Sequence, residues 1–287
     1  MNEETEASRA TRNKGPRLAP RQPSRWASEG VVVLAIVLVA GYALLRPAPE
    51  TLPDFNAFER VEERKQAFFG FLAPIVVSEN ERVLEQRRQL LEIAPRVADG
   101  ERLPFLDRRW MKNLAAEYEL AWPGESREET LALLLRRVDT VPAPLALVQA
   151  AKESGWGRSR FARQGNNLFG HWCYARGCGI VPSRRNTDAA HEVAAFDSVR
   201  ESVRRYINNL NTHPSYLPLR RIRLDEREAG RRPQALSLAD GLIRYSERRE
   251  AYVEEIKQII RANRELIGQA MNDDSAASAS AAAAGAP

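Results

Sequence analysis

Near its middle the chain reads Asp139-Thr-Val-Pro-Ala-Pro-Leu-Ala-Leu-Val-Gln-Ala-Ala-Lys-Glu-Ser-Gly-Trp-Gly157. The two prolines of this stretch suit the first turn of a helix, where a missing backbone donor matters little. Its two glycines suit the end of that helix. The pattern therefore predicts a helix whose last turn carries Glu153.

Glu153 is an unusual residue for this position. The last turn lies at the negative end of the helix dipole, where a cation is more stable than a carboxylate. That environment raises the pKa of a carboxyl group, and desolvation by the neighbouring Trp156 would act in the same direction. A raised pKa lets a glutamic acid donate a proton near neutral pH. Most glutamates near a helix end are merely solvated, so the position alone does not assign a catalytic role.

Two further motifs follow in order along the chain. Gly165-Asn-Asn-Leu-Phe-Gly170 comes after the helix, and His213-Pro-Ser-Tyr216 follows a helical stretch over Val199–Leu210. Together with the run that contains Glu153, the series resembles the glucosaminidase domain of bacterial cell-wall hydrolases, and within that family the Bax-type proteins. The ordered series is far more specific than any single motif, and the resemblance covers roughly residues 100–266.

The resemblance implies a fold, a reaction and a set of site residues. The implied fold is mainly α, a lysozyme-like α+β domain with a small β-hairpin lobe, and the implied reaction is hydrolysis of β-1,4 bonds after N-acetylglucosamine in peptidoglycan. Glu153 matches the general acid of the family, and Tyr216 matches a catalytic tyrosine that faces this acid. Asn166, Asn167 and Phe169 match the motif that shapes the floor of the cleft. We expect neither a cofactor nor a metal.

A second carboxylate is missing from the place where some relatives carry one. The expected first strand of the lobe, Gly177-Cys-Gly-Ile-Val-Pro182, contains no acid, and the nearest carboxylates are Asp188 and Glu192. Either Glu192 acts as a catalytic residue when a mobile lobe closes, or the acetamido oxygen of the substrate is the nucleophile. The departure also keeps open a second function, that of a weakly active wall-binding or scaffold protein.

Aromatic side chains cluster around these motifs, as is typical of sites that stack on the apolar faces of sugar rings. The predicted substrate-binding residues are Trp156, Asn166, Asn167, Phe169, Trp172 and Tyr174. Plain core packing is the alternative for such aromatic residues, and we expect it for Phe169. Trp172 and Tyr174 are the better candidates for exposed stacking surfaces.

Cys173 and Cys178 are the only cysteines of the chain. Outside the cytoplasm, a disulfide that closes this short loop is the favoured interpretation. Zinc binding together with His171 or His191 is an alternative, but the spacing is not a common zinc pattern. A nucleophilic cysteine is disfavoured because Cys173 has no evident orienting partner.

The N-terminal region predicts a membrane anchor. Residues 1–26 hold six basic residues and are expected to be a disordered cytoplasmic arm. Residues 27–46 include an uncharged run from Gly30 to Leu45, which with its flanks approaches the roughly 20 residues that cross a bilayer. We therefore expect a single-pass protein of the bacterial inner membrane with its catalytic domain in the periplasm. A cleaved signal peptide is the alternative, since Val39-Ala-Gly-Tyr-Ala43 offers small residues.

The remaining boundaries follow from composition and hydrophobic period. Residues 47–99 read as a proline-rich linker and a helical stalk, residues 100–268 as the glucosaminidase domain, and residues 269–287 as a disordered Ala/Ser tail. Within the domain, helices are expected to run from Leu103 through Tyr118, from Ser126 or Glu128 to Val138, and from Ser237 to about Leu266.

The net charge of +5 comes mostly from arginine spread along the whole chain. The sequence contains no Lys/Arg block interleaved with aromatic residues, which is the pattern that would indicate a nucleic-acid groove. Nucleic acid is therefore not an expected partner. The family resemblance implies peptidoglycan glycan strands as the partner, and the uncharged N-terminal run implies the inner membrane.

Overall fold

The computed structural model describes residues 50–183 and 191–273. The predicted basic arm, the predicted membrane span, Asp188 and most of the predicted tail lie outside these residues. In the part of the chain that is described, no helix combines the length and the apolar character that a membrane crossing requires. The described residues are mainly helical with a small sheet, as the sequence predicts.

The helices follow one another with short connections. The α-helices are α1 (Val61–Ala98), α2 (Phe105–Glu117), α3 (Arg127–Arg137), α4 (Ala143–Ser154), α5 (Arg160–Gly165), α6 (Val199–Thr212), α7 (Leu217–Glu228), α8 (Ala235–Ala239) and α9 (Arg249–Ala262). Short 3-10 turns cover Pro214–Tyr216 and Asp240–Leu242. Residues 264–273 continue as helix after α9. The sequence assigned residues 269–273 to the tail, but they are helical because Ala270 packs in the core.

Local sequence signals set the ends of α3 and α4. The side chain of Ser126 accepts a hydrogen bond from the backbone N–H of Glu129, which caps the first turn of α3. Acidic residues in the first turn of α3 and arginines in its last turn match the helix dipole. α4 ends at Gly155, whose φ of 59° is left-handed and favours glycine. The predicted starts and ends of these two helices are confirmed.

α1 packs in the body of the domain, whereas the sequence assigned residues 47–99 to a linker and a helical stalk outside it. Its first half packs against α4 and α6, with Phe68, Phe69 and Leu72 fully buried. Its second half carries a smaller core shared with α2 and α3, which includes Leu90 and Met111. The apolar period of this helix therefore reflects packing against two cores.

The C-terminal helical region is interrupted, whereas the sequence predicted a continuous stretch from Ser237. The 3-10 turn at Asp240–Leu242 packs so closely on α7 that a Cβ atom on Gly241 would lie 2.2 Å from the Cα atom of Leu219. Residues 243–248 then form turns before α9 begins. This break places Tyr245 beside α9, where its ring stacks on Tyr252.

The lobe is a three-stranded antiparallel sheet rather than the predicted simple hairpin. Its strands are β1 (Trp172–Cys173), β2 (Gly179–Ile180) and β3 (Glu192–Ala194), in the order β1-β3-β2. Val193 pairs with Trp172 on one side and with Ile180 on the other. A Cβ atom on Gly179 would lie 2.0 Å from the carbonyl oxygen of Val193, so only glycine fits this contact.

Candidate active site

Glu153 lies in the last turn of α4, with its side chain exposed to solvent. The hydroxyl group of Tyr252 on α9 donates a hydrogen bond of 2.9 Å to Oε1 of Glu153. One oxygen of the carboxyl group is thus held by the protein. The other, Oε2, makes no hydrogen bond with the described residues and is available to a ligand.

The surroundings of Glu153 favour its protonated form. Protein atoms packed around the carboxyl group desolvate it and raise its pKa, although solvent reaches the side chain. The hydrogen bond from Tyr252 and the charge of Lys152 act in the opposite direction, and the charge of Glu255 adds to the rise. The direction agrees with the sequence-based expectation for Glu153, but its main cause is burial rather than the helix dipole.

A chain of buried hydrogen bonds lies behind Glu153. The hydroxyl group of Tyr206 donates to Oε1 of Gln149 at 2.6 Å, and Nε2 of Gln149 donates to the hydroxyl oxygen of Tyr252 at 2.9 Å. The side chains of Gln149, Tyr206 and Tyr252 are all buried. Sequence reasoning missed Tyr206 and Tyr252. Neither residue lies in one of the motifs, and their helices meet α4 only in the folded chain.

Tyr216, which the family resemblance places opposite the acid, interacts electrostatically with Glu153. It is 8% exposed, and burial together with the negative charge of Glu153 raises the pKa of its hydroxyl group. Its ring centroid lies 5.8 Å from that of Tyr245, whose own ring stacks 5.5 Å from Tyr252. The hydroxyl group of Tyr245 donates to the carbonyl oxygen of Phe169. The rings of Tyr216, Tyr245 and Tyr252 therefore form a contiguous row that ends at the hydrogen-bond partner of Glu153.

The two asparagines of the second motif connect the helical body to the lobe. The side-chain N–H groups of Asn167 donate to the carbonyl oxygens of His171 and Ala194, at 2.9 and 2.8 Å. Its Oδ1 accepts from the backbone N–H groups of Phe169 and His171, so its hydrogen-bonding capacity is filled by the protein.

Asn166 makes a similar connection by a different geometry. It ends α5 in a left-handed conformation with φ of 51°, which asparagine tolerates better than most residues. Its Nδ2 donates to the carbonyl oxygen of Phe196 beyond β3. Both asparagines thus shape the site through the backbone that they hold.

The four aromatic residues predicted to bind substrate divide into two groups. Phe169 is buried and stacks 4.0 Å from Tyr206, which confirms the expectation of core packing. Trp156 is half-buried and packs edge-on against Phe68 and Phe69 of α1. Trp172 is 57% and Tyr174 is 74% exposed, as expected for stacking surfaces on the lobe.

The predicted disulfide is confirmed. Cys173 and Cys178 are bonded, with their Cα atoms 6.2 Å apart, at the base of the loop between β1 and β2. Their sulfur atoms lie within 4.8 Å of a carboxylate oxygen of Glu192, but bonded sulfurs offer no thiolate to a metal.

Glu192 is 6% exposed and lies at the start of β3. Its two carboxylate oxygens accept hydrogen bonds from the backbone N–H groups of Gly177 and Gly179, at 3.0 and 2.9 Å. The carboxylate thus closes the disulfide loop onto the central strand. In this arrangement it fixes the shape of the lobe.

Comparison with known proteins identifies the family. Residues 130–265 match the family described as mannosyl-glycoprotein endo-beta-N-acetylglucosaminidase. The chain is 33% identical over 221 residues to Protein bax of Escherichia coli (strain K12), which covers 77% of each of the two chains. No solved structure matches the chain. The class is that of glucosaminidase-domain proteins, which points to a glycosidase-like role in peptidoglycan. Within it, the chain belongs to the Bax-type family.

Proposed function

We propose that the protein hydrolyses the β-1,4 glycosidic bonds of peptidoglycan after N-acetylglucosamine, with Glu153 as the general acid. The observation that carries the proposal is the state of Glu153 itself. Its carboxyl group is desolvated enough to raise its pKa, yet its side chain is exposed and can reach a polymer. A purely structural carboxylate at a helix C-terminus would instead gain from full solvation or from a cation.

In the proposed reaction, Glu153 donates its proton to the glycosidic oxygen as the bond to the anomeric carbon breaks. The acetamido oxygen of the substrate attacks that carbon, and water then opens the resulting ring and returns a proton to Glu153. Tyr216 lies beside the acid and would orient it or the substrate during transfer. The two backbone hydrogen bonds that occupy Glu192 favour the acetamido group over Glu192 as the second catalytic group.

The lobe is the proposed glycan contact. Tyr174 exposes its ring beside the disulfide. Trp172 stacks on His191 with one face of its ring and is still 57% exposed, so sugar faces can stack on both residues. Trp156, Asn166, Asn167 and Phe169 support the site from within. They hold α4 to α1 and the lobe to the helical body.

The location is also a proposal. The uncharged run from Gly30 to Leu45 and the basic residues before it favour a single inner-membrane anchor with the domain in the periplasm. The disulfide suits that oxidising compartment. A reporter fused after Pro287 that works only when exported should be active, and activity of a cytoplasm-only reporter would contradict the topology.

Zymography on purified sacculi tests the proposed acid. Glu153→Gln should leave no clearing, because glutamine cannot deliver a proton, and general acid catalysis is typically worth about 10²–10⁴-fold in rate. Glu265→Gln, an exposed change on the same domain, should clear like the parent. Melting curves on the same preparations exclude misfolding. If the parent itself releases nothing while still pelleting with sacculi, the alternative of a wall-binding scaffold protein is favoured.

A further inference from the structure

We propose that Gln149 is a positioning residue: together with Tyr206 it compels Tyr252 to donate to Oε1 of Glu153, which confines the acidic proton to Oε2. The inference rests on the proposed function, since it assigns a role in preparing the general acid. It concerns three buried side chains behind the carboxyl group. Gln149, Tyr206 and Tyr252 are each 2% exposed or less.

The contacts form one continuous chain across the core. It runs from the hydroxyl group of Tyr206 on α6 to Gln149 on α4, then to the hydroxyl group of Tyr252 on α9, and ends at Glu153. The three donor–acceptor distances are 2.6, 2.9 and 2.9 Å. Gln149 and Glu153 are four residues apart on α4, so both lie on the face of that helix that meets α9.

The ionised carboxylate sets the direction of donation along these hydrogen bonds. A carboxylate can only accept, so Tyr252 must donate its single hydroxyl hydrogen to Glu153. The Tyr252 oxygen is then an acceptor toward Gln149, which must present its NH₂ group on that side. The carbonyl oxygen of the same amide therefore faces Tyr206 and accepts its hydrogen.

Tyr206 keeps the amide in this orientation when Glu153 becomes protonated. A flipped Gln149 would aim its NH₂ group at Tyr206 and leave the buried Tyr206 hydrogen without the acceptor that the described structure gives it. Tyr252 thus continues to occupy Oε1 as a donor. The proton of the acid is left on Oε2, which makes no hydrogen bond with the described residues.

Other charged and titratable groups also face Glu153, and they must stay constant in a test. Lys152 on α4 favours the carboxylate, and Glu255 on α9 disfavours it. Lys152 and Glu255 form an ion pair, which Arg248 extends. The remaining neighbours are the hydroxyl groups of Tyr206, Tyr216, Tyr245 and Tyr252. Changes that remove only a hydroxyl or an amide leave the ion pair in place.

The test compares Tyr252→Phe, Gln149→Met and the double variant in full-length protein labelled with ¹³C at glutamate side-chain carboxyl groups. The Glu153 signal is assigned by its loss in Glu153→Gln, and its pKa is read by NMR titration. Tyr252→Phe removes a hydrogen bond to the charged form, so we expect the pKa of Glu153 to rise by about one pH unit. Gln149→Met should raise it by less, and the double variant should match Tyr252→Phe alone.

The pH profile of kcat/KM on peptidoglycan supplies the second measurement. Its alkaline limb should shift to higher pH in Tyr252→Phe and by a smaller amount in Gln149→Met. The maximum of kcat/KM should be lower in both variants. A merely structural role would lower the amount of folded protein without moving this limb. If Gln149→Met does not fold, Tyr206→Phe tests the same orientation with a smaller change, and a similar rise is expected.

A matched control exists in the second core. The hydroxyl group of the buried Tyr118 donates to Oε1 of Gln86 at 2.9 Å, away from Glu153. Tyr118→Phe should therefore lower stability without changing the pKa of Glu153 or the pH profile.

Two outcomes overturn the inference. One is an unchanged pKa of Glu153 in Gln149→Met. The other is that Gln149→Met raises the pKa of Glu153 by the same amount in the Tyr252→Phe background as it does alone. The NMR titration needs no turnover. It therefore tests the role of Gln149 even if Glu153→Gln proves fully active. That last result would remove the proposed function instead.

Discussion

The hydroxyl group of Tyr252 donates a hydrogen bond of 2.9 Å to Oε1 of Glu153, between residues 99 positions apart in the chain. α9, which carries none of the sequence motifs, is therefore part of the candidate site. The contact opposes the effect of burial, which raises the pKa of Glu153. The acid is thus both desolvated and held in place, a combination suited to proton donation.

Stability should depend on pH through Glu153. Its pKa is raised in the folded state, so its contribution to stability is full below the unfolded value of about 4.3 and is lost as the pH rises through the folded value. Glutamine does not titrate. The melting temperature of Glu153→Gln should therefore exceed that of the parent at pH 8 and approach it at pH 4. A difference that shrinks as the pH rises would contradict the raised pKa.

In the proposed reaction the Tyr216 hydroxyl group orients Glu153 or the substrate. Loss of one such hydrogen bond to a charged group, worth about 1.5–3 kcal/mol, means that Tyr216→Phe should reduce hydrolysis by about 10-fold or more. The phenyl ring preserves the packing against Tyr245, so the melting temperature should change little. Rates on purified sacculi at several pH values measure the effect. Parent-like kinetics on this substrate would remove Tyr216 from the mechanism.

Glu192→Gln should loosen the lobe. Glutamine keeps one acceptor oxygen, so one of the two amides, Gly177 or Gly179, loses its partner at a cost of about 1–3 kcal/mol. We expect KM to rise several-fold while the turnover rate changes little, and faster hydrogen exchange in residues 172–180. Glu226→Gln is a matched control, since Glu226 is also 6% exposed and accepts from a backbone N–H group. A turnover rate lowered by about two orders of magnitude, as expected when an acid–base group is removed, would show that Glu192 acts as a second catalytic carboxylate.

Replacing both cysteines with serine should affect the lobe more than the whole domain. The loop closed by Cys173 and Cys178 is very short, so the loss should fall at the low end of the roughly 2–4 kcal/mol typical of disulfides. Faster exchange around β1 and β2 with a nearly unchanged α4 is the expected pattern. In the parent, thiol labelling after export and denaturation should find no reactive thiol, and two labelled cysteines would exclude the bond.

Features coded by neighbouring residues could be predicted from the sequence. Ser126 caps α3 and Gly155 ends α4, and both signals depend on side chains within a few residues of the helix end. The position of Glu153, the core packing of Phe169 and the disulfide were predicted in the same way. The pairing of Tyr216 with Glu153 came from the family resemblance, and not from a local sequence pattern.

Features made by distant contacts could not be predicted. Buried hydrogen bonds join Gln149 to Tyr206 and Tyr252, and no local pattern marks those tyrosines as partners. The same holds for the packing of α1 in the main core and for the central place of β3 in the sheet. Apolar period shows that a helix has a buried face, but it does not show which helix covers that face.

The mass of the muropeptides released from purified peptidoglycan reports which bond the protein cleaves and whether Glu153 is needed for the cleavage. The parent protein should release fragments with N-acetylglucosamine at the reducing end, and Glu153→Gln of equal melting temperature should release none above background. Release of the same fragments by Glu153→Gln at the parent rate would exclude Glu153 as the general acid, and release of free wall peptides by the parent would exclude a glucosaminidase.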